Sequence, residues 1–380
     1  MNFREVSLPR VVESQQQLSK LAHILAAEPR IAVDTESNSL FAYQERVCLL
    51  QFSTPAADYL VDPLALSDLS PLAPIFANPA IEKIFHAAEY DVICLKRDYH
   101  FELCNLFDTM LAARILGLPE VGLGPLLNAR FGVEVDKHFQ RANWGVRPLS
   151  REMQIYAACD THYLFALRDS LEIELQEKEL LVLAQEDFRF VSRTEGHGVN
   201  GSNTNCWKVA GATHLTPRQA AILDRLLFYR DEWARKVDLP HFKVLGNQLL
   251  ISICISEIHS LEELEKAEGM SHRVFQRHGQ GLYDAYRQGQ AAPPIPRPPR
   301  PRLDADYLLR IEHLKTWRKN TASEMKVESD IVLPRELMEV IAHHHPRTAE
   351  EIDGLMKEYP YRRSKYGTKL LAILNQEEVS

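Results

Sequence analysis

This chain has no C-x-x-C pair, no long apolar run, no excess of positive charge and no phosphate-binding loop. Its six cysteines (Cys48, Cys94, Cys104, Cys159, Cys206, Cys254) are scattered, which excludes the paired spacings of zinc ribbons and dithiol redox motifs. Four of them lie in apolar runs, the pattern of small buried residues in a reducing, cytoplasmic setting. No apolar run reaches the roughly 18–20 residues of a membrane span. Met1-Asn2-Phe3-Arg4-Glu5 lacks the basic-then-apolar layout of a signal peptide, so no membrane partner is expected. Lysine and arginine number 44 against 52 aspartate and glutamate, a formal charge of −8. That argues against a protein coated with positive charge for gripping nucleic acid. It leaves room for a local basic track, and a cluster of acidic metal ligands would itself deepen the negative total. A G-x-x-x-x-G-K-[ST] segment is absent, and with it a helicase segment built on that loop.

What is present is an ordinary globular composition, 45% hydrophobic and 25% charged, over 380 residues. That length exceeds what one core usually holds, so two or three domains are expected. The apolar run Ile31-Ala32-Val33 leads into Asp34-Thr35-Glu36. In a strand, residues two apart share a face, so Asp34 and Glu36 would project together from the end of a buried strand. On this stretch alone, a strand running out into a polar loop is an equal alternative.

Around it the pattern alternates. Residues 11–28 have helical spacing, residues 46–53 and 58–62 read as strands, and residues 81–86 read as a strand feeding a helix that begins near Ala87 and carries Asp91. Asp108 is placed to cap the helix after it. A polar, loop-like segment follows, with His138, Gln140, Arg141, Trp144, Arg147 and Pro148. Ser150 is the expected N-cap of a long helix on which Tyr156 and Asp160, four apart, share a face. This alternation predicts an α/β domain with a mixed sheet over residues 1–190. Residues 191–213 have linker chemistry, with Trp207 as an anchor, and the proline-rich residues 291–302 predict a semi-rigid second linker.

The segments flanking that second linker, 214–290 and 303–376, repeat each other at an offset of 88. Leu226 falls on Leu314, Arg230 on Arg318, Ala234 on Ala322, Leu249 on Leu337, Ile253 on Ile341, and Ser260-Leu261-Glu262-Glu263-Leu264 on Thr348-Ala349-Glu350-Glu351-Ile352. Two copies of one small helical domain are expected. They are the obvious extra surface for a large nucleic acid. Arg362-Arg363-Ser364-Lys365, between Tyr361 and Tyr366, reads either as a backbone-binding patch or as solvated surface.

Asp34, Glu36, Asp91 and Asp160 supply hard oxygen donors of the kind that suit Mg²⁺ or Mn²⁺. Two such ions can clamp the attacking and leaving oxygens of a phosphodiester, and Tyr156 could hydrogen-bond the attacking water. Asp34-Thr35-Glu36, His86-Ala87-Ala88-Glu89-Tyr90-Asp91 and Tyr156-Ala157-Ala158-Cys159-Asp160 resemble the three exonuclease motifs of the DEDD superfamily, in its DEDDy branch. Trp144-Gly145-Val146-Arg147-Pro148-Leu149 is similar to the W-x-x-R-P-L stretch of bacterial ribonuclease D. The repeated unit resembles the HRDC domain, through Arg230-Asp231, Asp238-Leu239-Pro240 and Arg277-His278-Gly279. Ala87 and Asn143 depart from the Asn and Asp common at those positions.

The resemblance implies an RNase H-like exonuclease domain followed by two small all-α HRDC-like domains. It implies 3′→5′ exoribonuclease activity on RNA with a free 3′ end, with tRNA precursors as the usual substrate. It makes Asp34, Glu36, Asp91, Asp160 and Tyr156 catalytic, the four acids holding two divalent metal ions, Mg²⁺ or Mn²⁺. Thr35, Leu40, His86, Trp144 and Arg147 are its candidate substrate contacts, Leu40 as a wedge against the terminal base. For His86 a structural role competes, for Trp144 packing, and for Arg147 a helix cap. A DNA exonuclease of the same superfamily and a non-catalytic RNA-binding scaffold are the competing functions.

Overall fold

The computed structural model describes residues 6–196, 205–299 and 304–375. The part of the expected first linker at 197–204 and the end of the proline-rich segment at 300–302 lie outside the described residues. The chain forms two compact units. Among the described residues, 6–37, 47–196 and 304–375 make the first, and 38–46 with 205–299 make the second.

The first unit is built on six strands: β1 (Arg10–Val12), β2 (Arg30–Ser37), β3 (Val47–Ser53), β4 (Asp58–Val61), β5 (Glu82–Phe85) and β6 (Leu106–Asp108). They lie in the order β1-β4-β3-β2-β5-β6. β2 runs antiparallel to β3 and parallel to β5, so the sheet is mixed. Helices cover both faces, which is why β3 reads as a nearly unbroken apolar run and is buried along its whole length. Leu18, Leu21 and Leu25 of the helix Gln15–Ala27 join Phe52, Phe76, Phe85, Leu95 and Leu171 in the main core. The helix Arg151–His162 seals the other face through Leu49, Leu60, Trp144 and Ala157.

The repeat is visible in the helices. Pro217–Val237 and Ala305–Met325 both span 21 residues and start 88 apart. His241–Val244 and Ser329–Val332 keep the same offset, as do the starts of Asn247–Ile255 and Arg335–His344. Ser260 and Thr348 each cap the next helix through their hydroxyls. The first copy closes the second unit around Leu223, Leu226, Leu250, Ile253 and Leu282. It also takes in residues 38–46: the Tyr43 hydroxyl donates to Asp231 at 2.8 Å, its backbone N–H donates to Asp238, and Lys243 lies over the Phe41 ring. The proline-rich segment is pinned at its start, where the Ile295 N–H donates to the Pro217 carbonyl and Arg297 lies over Trp207.

The second copy is instead fused to the exonuclease-like sheet. Ile331 enters the main core, Phe190 stacks on Tyr359 at 4.4 Å, and Arg114 bonds Glu328 and Asp330. Gly117, at φ +70, lies so close to Lys326 that an added Cβ would stand 2.6 Å from its carbonyl oxygen, which leaves no residue but glycine there. Arg362 departs from both readings of its run, as phosphate contact and as solvated surface, while Ser364 and Lys365 are exposed. It is fully buried, with its guanidinium on Glu186 and Asp187 and on the carbonyls of Ile331 and Val332.

Candidate active site

β2 is central, and its pairing with β5 ends at Ala32↔Ile84, while pairing with β3 continues to Ser37↔Val47. Past Ala32 the sheet therefore opens on one side, at the point where Asp34 and Glu36 emerge. Asp91, on the first turn of the helix Glu89–Tyr99, approaches this opening and accepts a hydrogen bond from the Thr35 hydroxyl. Thr35, expected to touch substrate, thus ties the first motif to the second.

The turn between β5 and that helix is held by Asp108. Its carboxylate accepts the backbone N–H groups of Ala87 and Ala88 at 3.1 and 2.8 Å, besides capping the helix Thr109–Ile115. Ala87 stands at φ 64, so the expected helix start near Ala87 is corrected to Glu89. A left-handed alanine costs about 1–2 kcal/mol relative to its ordinary conformations. Ala87→Asn, which tolerates that region, should therefore stabilise the fold by about 0.5–1 kcal/mol. Calorimetric unfolding of the two proteins checks this; an unchanged or lower midpoint would mean that the surroundings of Ala87 reject the larger side chain.

The helix Arg151–His162 is capped by Ser150 and presents Tyr156 and Asp160 to the same opening. Its far end is anchored by a buried network: Ser53 bonds both Asp58 and Thr161 at 2.7 Å, and His162 meets Asp58 at 2.9 Å. The Tyr156 ring is wedged between Phe139 and Trp144, with centroids at 5.9 and 6.0 Å. Asp34, Glu36, Tyr156 and Asp160 line one cleft with Thr35 and His86.

Trp144 and Arg147 do not line this cleft. Trp144 is buried. Arg147 donates to both oxygens of Asp62 and to the carbonyls of Cys48, Trp144 and Val146. Burial alone would raise the Asp62 carboxyl, but Arg147 holds it below the usual range. The W-x-x-R-P-L stretch is thus a brace behind Tyr156, and the expected substrate contacts there are corrected. Leu40 is 40% exposed and belongs to the 38–46 segment of the second unit.

The far wall was not singled out from sequence. It comprises Glu120, the 122–125 segment at the start of the helix Leu123–Phe131, and Val135, Asp136, Lys137 and Gln140. These residues follow no spacing rule, and only the polarity of the loop around Gln140 marked the region. Gln51 was missed as well. It lies directly opposite Asp34 in the ladder, fully enclosed, with neither amide atom bonded.

The electrostatics follow from four acids sharing a partly enclosed opening. Burial raises Asp34, with Asp160 adding to it. Burial, then Asp34, Asp160 and Asp91, push Glu36 up to about 10. Burial and Asp91 push Asp160 up to about 7. Asp91 is raised by burial and by Asp34. Burial, then Asp160, Glu36 and Asp34, hold the Tyr156 phenol above its ordinary value. Among the described residues lining the cleft, Lys137 is the one lysine or arginine. An all-oxygen donor set with this unmet negative charge fits a divalent cation, although no three Asp, Glu, His or Cys side chains among the described residues are drawn up to ligand distance.

These raised carboxyls predict a pH-dependent metal affinity. The folded protein holds protons that the unfolded chain would release, so the metal-free fold loses stability as pH rises through about 7, where Asp160 ionises. A cation needs the ionised acids. Its binding must therefore release protons and tighten with pH, by up to tenfold per unit for each proton released. The gain in unfolding temperature on adding Mg²⁺ should be larger at pH 8 than at pH 6; an equal gain at both would refute the linkage.

Comparison with known proteins fits this geometry. The 3′-5′ exonuclease family model matches residues 9–176, and the HRDC domain model matches residues 219–286 and 308–374. Protein RRP6-like 3 of Arabidopsis thaliana is 46% identical over 177 residues, covering 46% of this chain and 19% of that protein. The exosome complex exonuclease RRP6 of Saccharomyces cerevisiae is 34% identical over 262 residues, 65% of this chain and 36% of that protein. The chain thus spans between about a fifth and just over a third of these two curated relatives. Among solved structures, Escherichia coli RNase D, an exoribonuclease involved in structured RNA processing, superposes with a TM-score of 0.70 at 26% identity, over 99% of both chains. The catalytic core of RRP6 from Trypanosoma brucei gives 0.66 at 29% identity, over 76% of this chain and 82% of that one. The match to RNase D runs through the mixed sheet and both helical copies, and the chain carries a 3′-5′ exonuclease-family domain followed by two HRDC domains, a layout similar to that of ribonuclease D.

Proposed function

We propose that this protein is a 3′→5′ exoribonuclease that hydrolyses the terminal phosphodiester of RNA and releases 5′-monophosphates, with tRNA precursors as its substrates. The observation that carries the reading is the convergence of Asp34, Glu36, Asp160 and Tyr156 on one cleft, with Asp91 tied to it through Thr35. Asp34, Glu36, Asp91 and Asp160 would hold two divalent ions, Mg²⁺ or Mn²⁺. Bound there, such ions lower the pKa of water and stabilise charge on a phosphodiester. The chain's own part is positional. Tyr156, kept protonated by burial and by the neighbouring acids, offers a fixed hydroxyl to orient a water for attack on the phosphorus. The cleft, ≈ 470 Å³, is of the size of small-molecule sites, roughly 300–1,000 Å³, so it holds the end of a strand and not a folded RNA.

The test is a time course on 3′-extended tRNA beside single-stranded DNA, with Mg²⁺ or with excess EDTA. Loss of nucleotides from the RNA end, abolished by EDTA and restored by Mg²⁺ or Mn²⁺, is the expected result. Full activity in excess chelator would sink the metal site, and preference for DNA would replace the substrate.

A further inference from the structure

His86 lines the cleft beside Asp34, Glu36, Tyr156 and Asp160, yet nothing in the hydrolysis above uses it. Its Nδ1 lies 2.9 Å from the Thr109 hydroxyl, and that hydroxyl lies 2.9 Å from the Phe85 carbonyl oxygen. A carbonyl only accepts, so the single hydroxyl proton of Thr109 goes to Phe85. Thr109 must then accept from His86. This places the ring proton on Nδ1 and leaves Nε2 an acceptor. Thr109 is fully buried, so the Nδ1 edge of the ring faces the interior and the Nε2 edge faces the cleft. Burial, against the partial opposition of Asp108, also pushes the imidazole down to about 4, so the ring is neutral near pH 7.

A bare acceptor cannot bind a phosphate oxygen, which accepts as well. It matches a donor, and the hydroxyls of the last sugar are the donors that every RNA end carries whatever its base. Resting on the exoribonuclease reading, we propose that Nε2 of His86 accepts a hydrogen bond from a hydroxyl of the 3′-terminal ribose, which makes His86 a specificity-determining residue. Thr109 is the positioning residue that fixes its tautomer. A site built to take a hydroxyl rejects the analogue that lacks it, because the buried acceptor is then left unpaired.

The experiment uses the full chain with Mg²⁺ and three oligoribonucleotides that differ only in the last sugar: ribose, 2′-deoxyribose or 3′-deoxyribose. The rate of the first cleavage is read for the wild type, His86→Ala and Thr109→Val. His86→Ala should lower kcat/KM on the ribose end by about tenfold or more and lower it far less on one of the two deoxy ends. The end that is spared identifies the hydroxyl. Thr109→Val touches no substrate but lets the ring proton move to Nε2, so it should give the same selective loss. An equal fold-loss on all three ends, or no loss in either variant, overturns the proposal. A wild type that removes nothing from the ribose end overturns the exoribonuclease reading, and the proposal with it.

Discussion

Asp34→Asn and Asp160→Asn should each bring 3′-end hydrolysis down to background, whereas Tyr156→Phe should slow it by about 10²–10⁴-fold and leave RNA binding intact. The two kinds of variant remove different things. A carboxamide keeps the shape of the acid but is neutral and presents N–H donors, so it cannot serve as an anionic oxygen ligand. The phenylalanine keeps a ring already held by Phe139 and Trp144 and loses only the hydroxyl. Single-turnover rates and filter-binding affinities for the three proteins separate the cases. A Tyr156→Phe enzyme at the wild-type rate would reduce the tyrosine to packing, and an active Asp160→Asn enzyme would remove the basis of the site.

The second large effect concerns stability. Arg362→Ala should destabilise the first unit by about 3–5 kcal/mol, because it strands Glu186 and Asp187 without their counter-charge. Arg362 and Glu186 are fully enclosed and Asp187 nearly so, and the guanidinium spends its N–H groups on two carboxylates and two backbone carbonyls. For a unit of this size the unfolding midpoint would fall by about 6–20 °C. Arg363→Ala, one residue on, leaves that network untouched and should shift the midpoint far less. Scanning calorimetry of the two variants decides the matter. Equal, small shifts would show that the ion pairs contribute nothing net. The same burial removes Arg362 from the candidates for the salt dependence of RNA binding.

What the sequence revealed and what it hid follow from the range of the interactions involved. Asp34 and Glu36 were legible because strand side chains alternate, Tyr156 and Asp160 because a helix turns every 3.6 residues. The helical repeat was legible because a constant offset of 88 aligned core positions such as Leu226 with Leu314. β1 and β6 are three residues each, too short to carry a period. Arg362 was misjudged because a basic run between tyrosines looks the same whether it meets water or a pair of acids about 175 positions upstream. Arg147 and Trp144 carry a recognisable pattern, but pattern does not say which way a guanidinium turns, and here it turns to Asp62. The far wall of the cleft, with Lys137 and Gln140, depends on where a loop comes to rest, which no local preference specifies.

The partnership of Arg362 with Glu186 and Asp187 has a consequence for the order of synthesis. The acids precede the arginine by 176 and 175 residues. At the roughly 5–20 residues per second of translation, the acids leave the ribosome about 9–35 s before the group that neutralises them. Throughout that interval the helix Leu181–Arg193 carries an unpaired acidic face that favours water over a docked partner. The intervening helical domain has time to close by itself before the helix Pro360–Asn375 arrives. The first unit is thus completed late, by a part of the chain made after a whole other domain.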